Sequence, residues 1–491
     1  MSAFVSFPVK RAVRALAPLA AAILIALFPA PHGLAQQAWY FFAIFFGVVV
    51  GLVLEPFPGP VIGLMGVTVI TILSERVLFA PDELRAPGFN AADRSIAWAL
   101  SGFSSSTVWL AFSAFMFATG YEKTGLGRRI ALLLVRGMGS RTLSLGYAIT
   151  LADTILAIFT PSNTARSAGA IFPIVRNLPP LYSSQPNSPS ARKIGAYIMW
   201  VAFATSCVTS SLFLTGLAPN LLAVEFIRKS TNLQITWLQW FAAFAPAGIV
   251  LLLALPVLTY VLYPPELGQS RQAPIWAKQE LAKMGGFSKR EGIVAALALL
   301  AILLWVFGGA YVHPTSAALF VVSLMLATGV VTWEDVVSNR EAWKTLTLLA
   351  TLVTLADGIN RTGFVRWFAE TIASYLGGVS PNAAIIGLVA TYFFSHYMFA
   401  SITAHVTAMM PIMLSVGSSM PGVPLDKLAL LLGLTQGLMG VLTPYATGPA
   451  PVYANSGYIT AAEYWRLGTI FGLVFVAALL GLSAPFVLWR E

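Results

Sequence analysis

Long apolar stretches alternate with short polar segments along the whole chain, and this pattern predicts its elements. About eleven stretches approach the roughly 20 residues that an α-helix needs to cross a bilayer, at 16–30, 38–54, 60–79, 96–120, 195–224, 244–263, 292–309, 315–331, 345–360, 427–457 and 464–488. Two more, 142–175 and 379–416, are interrupted by Pro, Gly and small hydroxyl residues. We predict that each is a re-entrant helical hairpin, because irregular backbone is tolerated at membrane depth only where protein or a wet cavity covers it.

The composition supports an all-α polytopic membrane protein that resides in a lipid bilayer. Of the 491 residues, 57% are hydrophobic and only 10% are charged, against about 25% charged in a soluble domain. This balance excludes a soluble multidomain enzyme and a disordered chain. The single cysteine, Cys207, lies in an apolar segment. We expect it to pack rather than to react, because a reactive thiol needs an electropositive and accessible setting.

The net charge of +10 comes mostly from segments that the layout puts on one side of the membrane. Cytoplasmic loops favour Lys and Arg, so we predict a cytoplasmic N-terminus and an external C-terminus. No basic stretch alternates with aromatic residues, and we therefore expect no nucleic-acid partner. Lys10, Arg11 and Arg14 before an apolar run resemble a signal peptide, but we favour a first span that is retained.

The polar segment 264–291 divides the chain into two halves that share three patterns in the same order. The pairs are EKTGL (122–126) with NRTGF (360–364), PSNTARSAGAIFP (161–173) with ASITAHVTAMMP (400–411), and TGLAPN (215–220) with LTPYATGPAP (442–451). The predicted orientations of the two halves are opposite. We therefore predict an inverted-topology repeat, an architecture that places a substrate site near the membrane midplane.

The hairpin tips carry the first candidate binding residues. Ser162, Asn163 and Thr164 lie in the middle of the first hairpin, and Ser401 and Thr403 lie at the matching place in the second. Helix N-termini leave N–H groups unpaired and favour anions, and hydroxyl and amide groups add donors for carboxylate oxygens. The alternative is that these residues only cap helices, since Ser, Thr and Asn are preferred N-caps.

Two ionisable residues near the tips are candidates for charge compensation, because such groups are costly inside a membrane. Arg166 comes four residues after Ser162, and His405 comes four residues after Ser401, which places each about one helical turn beyond its tip. Two cationic groups beside one cavity suit a dianion. Alternatively, Arg166 pairs with Asp153, and His405 is a neutral packing residue.

Two long apolar stretches contain helix-breaking residues in TGLAPN and TPYATGPAP. Proline removes a backbone donor, and glycine weakens a helix. Unwinding there would turn backbone N–H and carbonyl groups toward a ligand, at Gly216, Pro219, Thr447, Gly448 and Pro449. The alternative is a kink that makes no contact with a ligand.

Sequence signatures of other membrane functions are absent. The chain has no Walker A loop, no HExxH and no CxxC, so ATP-driven transport and zinc chemistry lack their usual residues. A membrane-embedded enzyme would need clustered carboxylates or histidines. There are only four histidines, and His396, which has no counterpart in the first half, is expected to be structural. We favour a carrier over an enzyme or a channel, and we expect no cofactor and no bound metal.

Three segments of the chain together resemble the divalent anion/sodium symporter family: PSNTARSAG, SITAHVTAMMP and LTPYATGPAPVYANSGYI. The resemblance covers nearly the whole chain. It implies transport of di- or tricarboxylates, or of sulfate, by a homodimer in which a mobile transport domain moves like an elevator against a scaffold. It also implies a substrate site at Ser162, Asn163, Thr164, Ser401, Thr403, Gly216, Thr447, Gly448 and Pro449. The expected domains are N-terminal scaffold helices at 1–120, a first transport-domain repeat at 121–263, a cytoplasmic linker at 264–291, second scaffold helices at 292–360, and a second transport-domain repeat at 361–491.

Departures from the family pattern point to its exchanger branch, which includes citrate/succinate and 2-oxoglutarate/malate antiporters. Sodium-coupled members typically have Ser-Asn-Thr in both hairpins and a hydroxyl residue four positions before the first Ser, where this chain has Ile402 and Ile158. The chain thus loses oxygen ligands for Na⁺ and gains Arg166 and His405, whose charge a bound dianion would neutralise before the transport domain slides.

We therefore predict an obligate antiporter of the bacterial inner membrane. Its expected substrates are di- and tricarboxylates such as succinate, fumarate, malate, tartrate, citrate or 2-oxoglutarate. The alternative is a sodium-coupled dicarboxylate symporter.

Overall fold

The structure is a computed structural model that describes residues 6–309, 311–373 and 380–489. Over these residues the chain is helical and forms no β-strand. The longer α-helices are α1 (Ser6–Leu27), α2 (Gln36–Leu54), α3 (Gly59–Ile72), α4 (Ala91–Leu100), α5 (Ser106–Thr124), α6 (Leu126–Met138), α7 (Thr142–Ala157), α8 (Gly195–Leu212), α9 (Ala218–Thr231), α10 (Trp237–Leu262), α11 (Gln272–Met284), α12 (Lys289–Phe307), α13 (Pro314–Ala327), α14 (Arg340–Arg361), α15 (Phe364–Ala373), α16 (Pro381–Ser395), α17 (Ile402–Ser419), α18 (Leu425–Leu434) and α19 (Ala461–Ala478).

Shorter helical segments connect these helices. The α-helical ones are Ser74–Val77, Pro81–Leu84, Phe172–Val175, Trp333–Ser338, Ala450–Ala454 and Ala484–Trp489, and π-helix forms at Thr164–Ile171 and Leu479–Ser483. Turns of 3₁₀-helix lie at Ser101–Ser104, Pro179–Tyr182, Pro189–Lys193, Leu214–Gly216, His396–Met398 and Leu438–Val441. Residue 379, the predicted start of the second hairpin, and the outer ends of the predicted domains, 1–5 and 490–491, lie outside the described residues.

Fewer continuous membrane-length helices form in the described ranges than the apolar pattern predicts. Six are long and apolar enough to cross a membrane, and a seventh results if α4 and its following turn are joined to α5 across a 41° bend. The stretch predicted at 60–79 forms only a short helix, α3, before the chain turns at Leu73. Hydropathy reports an apolar environment, whereas continuity depends on local breaks that the hydropathy average smooths over.

Helix α8 lies at the centre of the protein. It is buried along its whole length, whereas only 22% of the most apolar part of α12 is buried. The chain at Gly437 crosses α8 in backbone contact, since a Cβ on Gly437 would lie 2.5 Å from the carbonyl oxygen of Cys207. The hydroxyl of Ser211 accepts a hydrogen bond from the Gly437 N–H at 2.9 Å. Only glycine permits this crossing, which brings the two broken stretches together.

The paired TG patterns of the two halves have the same backbone conformation. Gly125 follows α5 with φ of +75°, and Gly363 follows α14 with φ of +85°. A left-handed glycine is a common way to end a helix. Each glycine ends a helix and is followed by another, α6 in the first half and α15 in the second.

Ion pairs between distant segments join residues that the predicted layout puts on the same side. On the predicted cytoplasmic side these are Lys123–Asp335, Arg128–Glu280, Arg129–Glu291 and Arg192–Glu463, and on the other side they are Arg361–Glu83 and Lys229–Asp357. The hydrogen bond from Lys123 lowers the pKa of Asp335 to about 2, so this carboxylate is ionised at neutral pH. These contacts agree with the layout that the charge distribution predicts.

Candidate functional site

The serines at the two predicted tips have the same local geometry. Ser162 accepts hydrogen bonds from the N–H groups three and four residues further on, with its hydroxyl at 3.2 Å and its carbonyl oxygen at 2.9 Å. Ser401 does the same at 3.4 and 3.0 Å. Each serine therefore caps the helical segment that leaves its tip. Capping uses the hydroxyl as an acceptor, so its hydrogen remains able to bind an anion.

Both broken stretches are interrupted where the sequence places Gly and Pro. Helix α8 ends at Leu212 and α9 begins at Ala218. Helix α18 ends at Leu434, and α-helix resumes only at Ala450. The first break is tied to the first tip, because the Ala218 N–H donates to the carbonyl oxygen of Pro161 at 2.7 Å.

Residues of both predicted hairpins contact the second break at neighbouring positions. Asn163 of the first tip donates from Nδ2 to the Thr447 hydroxyl at 2.7 Å. His396, just before the second tip, donates from Nε2 to the carbonyl oxygen of Ala446 at 2.8 Å. The two halves of the chain therefore converge at this unwound segment.

The first tip also packs against the backbone of the second break. A Cβ on Gly448 would lie 1.8 Å from the hydroxyl oxygen of Thr164, so a larger residue here would displace Thr164 or the break. Thr164 and Gly448 are nevertheless solvent-exposed. The remaining predicted binding residues with partial exposure are Ser162, Ser401 and Thr403, while Asn163, Gly216, Thr447 and Pro449 are buried. The predicted site is thus a polar, partly open region and not part of the apolar core.

A cavity of about 690 Å³ lies beside the first tip. Its wall near the tip includes Thr160, Ala165 and Arg166, and its opposite wall includes Glu122 and Arg128 of a segment predicted to be cytoplasmic. The cavity has the volume of a typical small-molecule site. It connects the tip region with the predicted cytoplasmic side.

Arg166 is enclosed by oxygen atoms, and its side chain is fully buried. Its Nε lies 3.3 Å from both carboxylate oxygens of Asp153. Its other acceptors are the carbonyl oxygens of Thr160 (3.0 Å), Gly216 (2.9 Å) and Ser206 (3.3 Å) and the hydroxyl oxygens of Thr209 (3.2 Å) and Ser210 (2.8 Å). We call this set of acceptors the oxygen cage. It leaves the guanidinium no unbound N–H group for a direct hydrogen bond to a ligand.

The structure contains the ion pair between Arg166 and Asp153. The sequence had left this pair open as the alternative to a role of Arg166 in charge compensation. Thr209 also donates to the Asp153 carboxylate, at 2.5 Å, so both members of the pair are hydrogen-bonded. Because the pair is neutral, Asp153 offsets the charge of Arg166. Arg166 therefore fixes the first tip against α7, α8 and the first break, and its guanidinium occupies the space within the oxygen cage.

His405 has a different environment from Arg166 at the matching position. It is fully buried, and its Nε2 lies 2.9 Å from the hydroxyl oxygen of Ser395. Its ring packs on the rings of Tyr392 and His396, with centroids 4.5 and 5.1 Å away. Within the described part of the chain it makes no ion pair. The two halves thus match in backbone geometry at the tips and differ in charge.

A model of the family described as the sodium:sulfate symporter transmembrane region matches residues 9–490. The chain belongs to this family. The match spans both halves, and it confirms the family that the three sequence segments indicate.

Two bacterial relatives are similar to this family member over nearly their whole length. The citrate/succinate antiporter of Escherichia coli K12 is 50% identical over 476 residues, which cover 97% of this chain and 98% of the relative. The L-tartrate/succinate antiporter of the same strain is 50% identical over 466 residues, which cover 95% and 96%.

Two solved transporter structures share the fold of this family member. YdaH of Alcanivorax borkumensis matches with a TM-score of 0.56 at 14% identity, over 94% of this chain and 98% of that chain. MtrF of Neisseria gonorrhoeae matches with a TM-score of 0.58 at 15% identity, over 90% and 97%. At this identity the similarity shows an all-helical membrane transporter fold and nothing about the substrate.

Sequence reasoning missed much of the oxygen cage and the contact made by His396. Ser206, Thr209 and Ser210 lie in one buried helix, spaced so that they face the same neighbour. Hydroxyl residues that recur three and four positions apart in an apolar helix are the signal that could have located the cage. His396 was expected to be structural because it has no counterpart in the first half, yet it contacts the second break.

Proposed function

We propose that this family member is an obligate antiporter that exchanges di- and tricarboxylates across the membrane. The observation that carries the proposal is the occupied oxygen cage around Arg166. Carbonyl, hydroxyl and carboxylate oxygens are the ligands that hard cations prefer, and here a guanidinium that stays protonated fills that set. A tethered cation needs no Na⁺ from solution, which favours exchange over sodium symport. The names of the two Escherichia coli relatives support the same substrate class.

We place the anion between the two tips and the two breaks. The proposed binding residues are Ser162, Asn163, Thr164, Ser401, Thr403, Gly216, Thr447, Gly448 and Pro449. Hydroxyl groups and the helix N-termini at the tips supply donors for the two carboxylates. Arg166 and His405 lie one turn behind the tips. Arg166 is a fixed cation whose charge Asp153 offsets, and His405 is the protonatable residue that can compensate the charge of the anion.

The exchange is obligatory because the empty site is costly to move through the bilayer. Asp153 offsets the charge of Arg166, so the positive potential of the empty site comes from two helix N-termini and from any proton on the histidines. A bound dianion offsets that potential and occupies the exposed hydroxyl groups. Without an anion, unpaired polar groups would cross the apolar interior, which is unfavourable.

We further propose the architecture that the family resemblance implies. It comprises about eleven spans, two re-entrant hairpins and an inverted repeat. Scaffold helices lie at 1–120 and 292–360, a transport domain is formed from 121–263 and 361–491, and a cytoplasmic linker at 264–291 leads from the first transport repeat to the second scaffold helices. Contacts between α9 and its neighbours support a sliding boundary there, since Lys229 reaches Asp357 of α14 and Glu225 accepts from Thr107 of α5. We also propose a homodimer in the bacterial inner membrane with a cytoplasmic N-terminus.

The test is uptake of radiolabelled succinate into proteoliposomes. The vesicles are loaded or not loaded with unlabelled succinate, in Na⁺ buffer and in choline buffer. We expect uptake only into loaded vesicles and at the same rate in both buffers. Uptake into empty vesicles that depends on a Na⁺ gradient would instead establish a sodium symporter, and uptake that persists in empty vesicles without Na⁺ would contradict obligatory exchange.

A further inference from the structure

Two buried histidines beside the second break each have one ring nitrogen that carries no hydrogen, which we call a bare nitrogen. His396 donates from Nε2 to the carbonyl oxygen of Ala446 at 2.8 Å, so its Nδ1 carries no hydrogen while the ring is neutral. The Nε2 of His405 lies 2.9 Å from the hydroxyl oxygen of Ser395. That hydroxyl donates its own hydrogen to the carbonyl oxygen of Tyr392 at 2.8 Å. His405 is therefore also the donor from Nε2, and its Nδ1 is bare as well.

The two bare nitrogens lie in adjacent rings. Nδ1 of His396 and Nδ1 of His405 are both buried and have no hydrogen-bond partner among the described residues. The rings meet edge to face, with centroids 5.1 Å apart and an interplanar angle of 83°. A buried acceptor without a donor is unfavourable. Because the two rings are in contact, a hydrogen bound to one of these nitrogens would supply a donor beside the other.

We propose that His396 and His405 form one proton-binding site beside the carboxylate site. A proton on either Nδ1 creates an N–H group that the other Nδ1 accepts through one water or after a rotation of the rings. A second proton would place two positive charges in contact in a buried space, which is strongly unfavourable. The pair therefore takes one proton. This inference rests on the proposed function, because the proton balances one charge of the bound anion.

Charged side chains on the helices packed around His405 are paired elsewhere or lie far from the two histidines. The ring of Tyr392 packs on His405, and its hydroxyl accepts from Gln436 at 2.9 Å. The helix of His405, α17, packs against α2, α9, α14, α15, α16 and α18. Charged residues of these helices are paired elsewhere, as Glu225–Arg228, Lys229–Asp357, Arg361–Glu83 and Arg366–Glu370, or lie at the distant ends of α14 and α18, as do Arg340, Glu341, Lys344, Asp426 and Lys427.

The shared site makes His396 as important as His405 for proton dependence. If a single proton needs both nitrogens, removing either histidine abolishes its binding. If instead His405 titrates alone, removing His396 leaves the proton dependence intact. By thermodynamic reciprocity, a proton that favours the anion is itself favoured by the anion.

The experiment measures the dissociation constant of fumarate by calorimetry on the purified full-length protein, in Na⁺-free buffer between about pH 6 and 8. Both carboxylates of fumarate stay ionised in this range, so any change in the dissociation constant with pH comes from titration of the protein. We expect binding to tighten as pH falls, by at most about tenfold per pH unit, the limit for one linked proton.

Three variants separate the two-histidine site from a single histidine. His396→Gln retains an N–H donor for Ala446 without a titratable nitrogen, and it should flatten the pH dependence, as should His405→Gln. His32→Gln, in an exposed loop, should retain the wild-type dependence. A wild-type protein with flat affinity overturns the proton site and leaves the antiporter proposal standing, and retention of the full slope by His396→Gln overturns the shared site. Absence of fumarate binding at every pH would count against the proposed function itself.

Discussion

The amide Nδ2 of Asn163 donates a hydrogen bond of 2.7 Å to the hydroxyl of Thr447, which is 284 positions further along the chain. This bond joins the first tip to the second break and so links the two halves of the protein at the candidate site. It also orients the Asn163 side chain, since an amide whose N–H is bound to a fixed acceptor cannot rotate freely.

Removing the acceptor of this bond should weaken substrate binding. Thr447→Val preserves the shape of the side chain and deletes the hydroxyl, so we expect a loss of about 1 kcal/mol, or roughly fivefold in the KM of succinate exchange. Asn163→Ala should cost more, because it also removes an amide beside the ligand. Combining both should add nothing to Asn163→Ala alone. Ser323→Ala, whose hydroxyl bonds within its own helix, is the control, and fully additive losses would contradict the coupling.

Replacement of Arg166 should affect folding as well as exchange. Arg166→Ala strands the Asp153 carboxylate in a buried site, and breaking such a pair costs about 3–5 kcal/mol. Adding Asp153→Asn removes the stranded charge, so the double variant should regain much of the stability while exchange stays lost. The measurements are thermal unfolding of the purified protein and counterflow in proteoliposomes. Wild-type exchange by the double variant would show that the fixed cation is dispensable.

The sequence could locate the two capping serines because their chemistry is local. A serine that caps a helix needs only its own position and the N–H groups of the next turn, and Ser162 and Ser401 were found by this pattern. The partners of Arg166 were not found, apart from Asp153, because Gly216 and Ser210 are brought to it by tertiary folding. Such contacts leave no periodic pattern near the arginine itself.

The apolar pattern also could not fully predict where the helices are interrupted. The break of the stretch 195–224 was anticipated from Gly216 and Pro219, since both residues oppose helix. The early end of α3 at Ile72 was not, because residues 77–79 continue the apolar stretch beyond the charged residues Glu75 and Arg76. Burial in an apolar environment and membership of one straight helix are different properties.

Close packing at the second break predicts a sharp steric effect. Gly448→Ala would place a methyl group 1.8 Å from the Thr164 hydroxyl oxygen, so the tip or the break must move. We expect exchange to fall at least about tenfold, because a shift of this size in a binding geometry is costly. Gly387→Ala, which meets nothing within 4 Å, is the matched control. Thr164→Ala should partly rescue Gly448→Ala, and equal activity of the two glycine variants would refute the close contact.

The contact between Lys229 and Asp357 tests the proposed sliding boundary. Lys229 donates to the carbonyl oxygen of Val353 at 2.9 Å and lies 3.3 Å from Asp357, so movement of α9 along α14 must break both interactions. A partly exposed pair of this kind contributes about 0.5–1 kcal/mol, and Lys229→Met should change the balance of states by roughly two- to fivefold.

The reporter for this balance is a cysteine at Gln234, which lines the same cavity of about 980 Å³ as Lys229 and Asp357. The native Cys207 is buried and leaves the reporter as the accessible thiol. Lys229→Met should change its labelling rate by the same two- to fivefold factor, because the cavity is bounded by both proposed domains and changes shape when they slide. Lys283→Met, which breaks a pair within one helix, should leave the rate unchanged. Identical labelling in the two variants would argue that α9 and α14 do not move past each other.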